Sequence, residues 1–136
     1  MLYKKIHVFR VKPKQELASE ISRYCRQNSI FSGVVIGIVG SVESATLNFL
    51  TELPGRYEGK DYTGPLEIVC AQGSIALKHD ELVVHVHIQL SDKNGCYGGH
   101  LAKARVFSTA EVVIGELDHQ LRRSPDGYTG LNELPS

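Results

Sequence analysis

No CxxC pair occurs in this chain, and its cysteines, Cys25, Cys70 and Cys96, are odd in number and widely spaced. That spacing argues against a disulfide framework and against a thiolate zinc site. Charge of one sign is equally lacking, since 15 basic and 15 acidic side chains cancel. No global field therefore recruits nucleic acid or an anionic membrane. Long apolar runs are missing too. The longest, Gly33–Val39, is far too short to span a bilayer. The N-terminal MLYKKIHVFRV alternates like a strand and has no apolar signal-peptide core. The expectation is a cytoplasmic protein. There is no internal repeat, low-complexity tract or linker. The 136 residues make one domain, 1–136, with a core over about 3–118 and a loosely packed, turn-rich tail over 118–136. A chain of this size buries roughly two-thirds of its surface.

What is present centres on Leu82–Arg105, LVVHVHIQLSDKNGCYGGHLAKAR. Leu82, Val84, Val86, Ile88 and Leu90 alternate with Val83, His85, His87 and Gln89. Strict period-2 alternation marks a half-buried strand with one wholly apolar face. Ser-Asp-Lys-Asn-Gly supplies turn chemistry, and a second strand returns through Gly99-His100-Leu101. If the loop centres on Lys93-Asn94, His100 lies opposite His87. If Asn94-Gly95 is itself a two-residue loop, His100 sits opposite Gln89 and diagonal to His87. Both registers leave His85, His87 and His100 on one face. Three imidazoles at these spacings can converge on one ion about 2 Å from each nitrogen, with a position left open for water. Such a donor set suits zinc, and nickel, copper and ferrous iron accept it as well. Simple alternation misplaces Lys103 and Arg105 on the apolar face. Either Gly98-Gly99 carries a bulge or that end of the face is wet. Ala102 and Ala104 are expected to continue His100's side and leave room above the ion.

Elsewhere, Tyr3–Val11 reads as an opening strand, and Pro13 as the first residue of a helix to about Asn28. Leu17, Ile21, Tyr24 and Cys25 form its apolar stripe. Gly33–Val39 reads as a strand buried on both faces, broken by Gly40-Ser41 and resumed over Val42–Leu50. Thr51–Pro65 reads as a loop or exposed hairpin. Leu66–Cys70 and Ser74–Leu77 read as short strands, and Ala110–Leu117 as the last apolar one. The class is α+β: one main helix on a twisted, mainly antiparallel sheet. Glu67 and Glu111 are candidates for a base or an outer partner of the histidines. His7, His79 and His119 read as ordinary surface or capped residues. Lys103 with Arg105, and Arg122 with Arg123, read as solvated charge. Gly37 and Gly40 do not make a GxGxxG loop.

GVVIGIVG over Gly33–Gly40, Ser41 with Ala45-Thr46-Leu47, Leu66-Glu67-Ile68 with Gly73-Ser74, and His85–Gly99 ending in Gly-Gly-His resemble the PPC (plants and prokaryotes conserved) domain. Thr109–Leu117 fits its closing strand. The resemblance covers roughly residues 3–118 and is to the stand-alone prokaryotic type. It implies about seven strands with helices packed on them, and a homotrimer. In plants the domain follows an Arg-Gly-Arg AT-hook that enters the minor groove, and this sequence has no Arg-Gly-Arg. Strong nucleic-acid binding is therefore not expected, although a regulatory or DNA-associated role follows the plant analogy. Some prokaryotic members are thought to hold a metal at the HxH…GGH histidines, which map to His85, His87 and His100. The resemblance thus implies a metal-binding trimer, zinc the expected ion, with a cleft for a small molecule. It names no substrate and no reaction.

Overall fold

The computed structural model describes residues 1–136. The chain runs β1 (Tyr3–Val11), α1 (Leu17–Gln27), β2 (Gly33–Glu52), β3 (Arg56–Lys78), β4 (Glu81–Ser91), β5 (Cys96–Leu117), β6 (Arg122–Pro125) and β7 (Asn132–Glu133). The strands form a seven-stranded, mostly antiparallel sheet with one helix packed on it, as the sequence pattern and the resemblance imply. β2 pairs with β3 and β5, and β4 bridges β3 and β5 from the other side. These four pairings close a circuit, β2–β3–β4–β5–β2, which leaves few bare edges. β1 extends the sheet beyond β5, and β6 adds to β3 in parallel.

Burial explains the elements. Val86, Ile88 and Leu90 of β4 meet Leu66, Ile68 and Ile75 of β3, Val42 and Leu47 of β2, and Val106, Val112 and Ile114 of β5 in one core. Leu17, Ile21 and Cys25 of α1 close it, all fully buried. The helix begins later than Pro13 suggests. Glu16 is its N-cap, its carboxylate accepting from the backbone N–H groups of Ala18 and Ser19 at 2.7 and 3.0 Å, which satisfies donors a first turn leaves orphaned. The same carboxylate accepts from Ala104 N at 3.1 Å and ties the helix start to β5.

Several sequence expectations change. The short strands read on either side of Gly40-Ser41 and of Gln72-Gly73, and those before and after Phe107, are single long strands. Gly40, at φ +153°, absorbs an irregularity in pairing rather than ending the strand. A side chain there would run into the Thr109 carbonyl. Gly33–Val39 is not buried on both faces, because Val39 is 67% exposed and Ile36 41%. The phase slip in β5 falls at Ala102, not at Gly98-Gly99: Leu101 pairs with Leu47, Lys103 with the adjacent Thr46. The extra residue turns Lys103 and Arg105 to solvent and sends Ala104 into the core. Ala104 therefore does not roof the histidines. Thr51–Pro65 is indeed an exposed hairpin, the joined ends of β2 and β3. The tail is not loose, since β6 pairs with β3 and β7 with β6.

Candidate metal centre

Alternation sends Val86, Ile88 and Leu90 inward, so His85 and His87 stand on the outer face of β4. Asp92 fixes the turn, its carboxylate accepting from Asn94 N at 2.7 Å and Gly95 N at 3.0 Å. This is a four-residue connection centred on Lys93-Asn94, and it sets His100 directly opposite His87. Of the two registers open in the sequence, this one is realised, with Gly98 and Gly99 regularly paired. Gly73 lets β3 approach behind the site, for a side chain there would collide with the His85 carbonyl.

The three rings lie 5.0, 4.9 and 5.7 Å apart by centroid. One nitrogen from each lies within 4.8 Å of the others. Tetrahedral ligation at about 2.05 Å needs nitrogens about 3.4 Å apart, so modest ring rotations close the set. The donors fit a divalent ion. His85 and His100 are half-buried and His87 is exposed, which leaves the centre open on one side.

The electrostatics favour neutral rings. Burial, then the neighbouring His100, Arg123 and His87, push the His85 pKa down to about 4. Burial and His87 lower that of His100. Ligation needs a neutral imidazole. At these two positions protons therefore compete with a metal only at lower pH than for a free imidazole, below the 6.5 that a free histidine would suggest.

The charged neighbour of the site is Arg123, which sequence reasoning counted as solvated charge. β6 lies parallel to the end of β3, pairing Arg123 with Lys78. Its Nη2 donates to Ser74 Oγ at 2.8 Å and to His85 Nδ1 at 3.3 Å, and its Nη1 donates to the Asn132 carbonyl at 3.0 Å. Its Nε is buried without a partner. No local signal marks this residue, since a parallel pairing from a short tail has no periodicity of its own. Glu67 and Glu111 do not join the site. Glu67 pairs with Ser91, four strand positions from His87, and Glu111 lies between Val39 and Arg10. His7 is no surface residue. It is buried, and its Nε2 lies 2.9 Å from Glu116 Oε2. With Lys4 it holds the Glu116 carboxyl below its ordinary value. His79 sits in a turn at φ 53°, and the backbone carbonyl of His119 accepts from Ser32 Oγ.

The model of the Plants and Prokaryotes Conserved (PCC) domain matches residues 2–118. The chain belongs to this family. Among solved structures, the metal-containing protein AF0104 of Archaeoglobus fulgidus is 25% identical, with 99% of this chain and 96% of that one covered and a TM-score of 0.89. A plant- and prokaryote-conserved (PPC) protein of Pyrococcus horikoshii is 24% identical, at coverages of 99% and 94% and a TM-score of 0.89. A candidate DNA-binding protein of Bacteroides thetaiotaomicron is 22% identical, at 98% and 96%, with a TM-score of 0.90. The last two show that the PCC fold is shared. The bifunctional protein GlmU of Synechococcus sp. (strain JA-3-3Ab) is 33% identical over 133 residues, 96% of this chain. This chain spans about a fifth of the length of the curated relatives it matches. No helix is long and apolar enough to cross a membrane.

In the metal-free protein, the His85 ring should titrate near pH 4, well below the usual value near 6.5. Imidazole resonances followed by NMR between pH 3 and 8 check this, and a His85 midpoint at or above 6 contradicts the environment described here.

Proposed function

We propose that this PCC-domain chain binds one divalent ion, zinc, through ring nitrogens of His85, His87 and His100, and that it works as a homotrimer with a small-molecule cleft at that centre. The observation that carries the reading is the convergence of one nitrogen from each ring within 4.8 Å on an open face. The Archaeoglobus relative is a metal-containing protein, which supports it. A bound zinc supplies a Lewis acid and can lower the pKa of a coordinated water towards about 7. The chain's own part is to hold three neutral imidazoles, to leave the His87 side accessible, and to carry a guanidinium beside His85.

The trimer reading draws on apolar side chains left on the outside of the sheet. Val8 is 67% exposed, Val39 67%, Val69 55% and Phe107 49%. Val39 and Val69 flank the paired Gly40 and Ile68 on adjacent strands. Clustered exposed apolar groups of this kind mark an interaction surface, and a cyclic assembly buries the same patch on each copy.

A second reading, a DNA-associated or regulatory module, is favoured by the structural likeness to the candidate DNA-binding protein of Bacteroides thetaiotaomicron. Against it stand the balanced charge and a single helix whose apolar face is buried in the core. No helix is left to enter a major groove.

Protein purified without a histidine tag should contain about one zinc per chain by elemental analysis. His100→Ala should weaken zinc binding by more than the roughly 10–100-fold that loss of an outer partner costs, while His119→Ala leaves it unchanged. Equal binding by the two variants, or no uptake of zinc, nickel or iron at micromolar levels, rejects the site. Light scattering should give about three times the 15.0 kDa chain mass, and a mass near one chain rejects the trimer. A gel shift at physiological salt should show at most weak, salt-sensitive DNA association, and nanomolar, competitor-resistant binding would favour the regulatory reading.

A further inference from the structure

The tail brings a guanidinium to the histidines, and its hydrogen bonds limit what it can be doing there. A guanidinium only donates. His85 Nδ1, 3.3 Å from Arg123 Nη2, must therefore be the acceptor, with the ring neutral and its proton on Nε2. A neutral imidazole has one lone pair. While Arg123 holds that lone pair, His85 cannot give it to a metal. The Arg123–His85 contact and ligation by His85 exclude each other in this arrangement.

Taking the His85 lone pair away leaves three of the five Arg123 N–H groups unused. One is Nε, already buried without a partner, one is the second Nη1 proton, and one is the Nη2 N–H that now points at His85. The second Nη2 proton stays on Ser74 Oγ, and Nη1 stays on the Asn132 carbonyl. A guanidinium N–H makes a charge-assisted hydrogen bond to a carboxylate oxygen. Ser74 and Asn132 meanwhile hold the plane of the group fixed, so the freed Nη2 donor is oriented before a ligand arrives.

The surroundings fit an anion of modest size. A groove of about 460 Å³ is lined by Tyr57, Lys78, Glu81, His85, His100, Arg123 and Glu133 among others. Its two cations and two carboxylates cancel. A divalent ion on three neutral rings then leaves the groove doubly positive. Resting on the metal-site reading above, we infer that Arg123 is the anion-recognising residue of this centre. Its Nη2 N–H receives the carboxylate of a small organic acid in the groove, once metal has replaced it at His85. Arg123 thereby acts both as the ligand's anchor in the metal-loaded protein and as an internal occupant of His85 in the metal-free one.

The test uses the full chain. Zinc alone is titrated calorimetrically into metal-free wild type, Arg123→Gln and Arg123→Lys. The cobalt(II)-loaded proteins are then titrated with acetate, and separately with inorganic phosphate, and the visible absorption of the cobalt is followed. Wild type should bind acetate, and both variants should bind it at least tenfold more weakly. Arg123→Gln should bind zinc as tightly as wild type or several-fold more tightly, because a competitor for His85 has gone. Arg123→Lys keeps the charge and the stem but not the planar group that Ser74 and Asn132 hold, so it guards against a tail that simply unfolds. Equal acetate affinity in all three metal-loaded proteins overturns the assignment and leaves the metal site standing. Zinc binding weakened in Arg123→Gln overturns the exclusion. Phosphate bound more tightly than acetate overturns the choice of a carboxylate. Failure of wild type to take up metal removes the metal-site reading and this one with it.

Discussion

The site depends on a strand that must bury one of its two sides. Val86, Ile88 and Leu90 are in the core, and the period of two leaves His85 and His87 no choice but the outer face. A one-residue slip of β4 would expose all three apolar side chains, at about 1.5–3 kcal/mol each, and push two imidazoles into the core. The register is thus held by a penalty on the order of 5–9 kcal/mol. The Asp92 turn extends this order across the hairpin, so that His100 arrives opposite His87 without any contact among the rings having to select it.

Crowding three titratable rings is tolerable only while they are neutral. Partial burial and mutual repulsion keep protons off His85 and His100, and this same condition exposes the lone pairs that a metal needs. Folding and ligation therefore ask for one protonation state. Arg123 is the cation the metal-free site already accommodates, at the cost of a buried Nε with nothing to bond.

The histidine cluster was legible in the sequence because everything that creates it is local: alternation, a turn with Asp and Asn-Gly, and a return strand within sixteen residues. The helix stripe and the opening strand were legible for the same reason. What failed was continuity. Gly40 and Gly73 look like breakers along the chain, yet each sits where a neighbouring backbone comes too close for a side chain, and the strand runs on. The bulge at Ala102 compensates in β5 for pairing irregularities in β2, which no single-strand pattern contains. Arg123 was illegible because its position comes from a parallel pairing with Lys78, and a dipeptide of arginines in a polar tail looks like solvated charge.

The family match ends at residue 118, so the three histidines lie within it and Arg123 lies beyond it. The three rings of the centre are carried on long strands with one face committed to the core. The guanidinium beside His85 hangs on four residues of β6, anchored by two backbone pairs to β3. Substitutions in that short strand can change what stands beside the histidines while the strands that carry the rings stay as they are. The neighbourhood of the cluster is thereby uncoupled from the integrity of the scaffold, and one frame can be retuned by rewriting its tail.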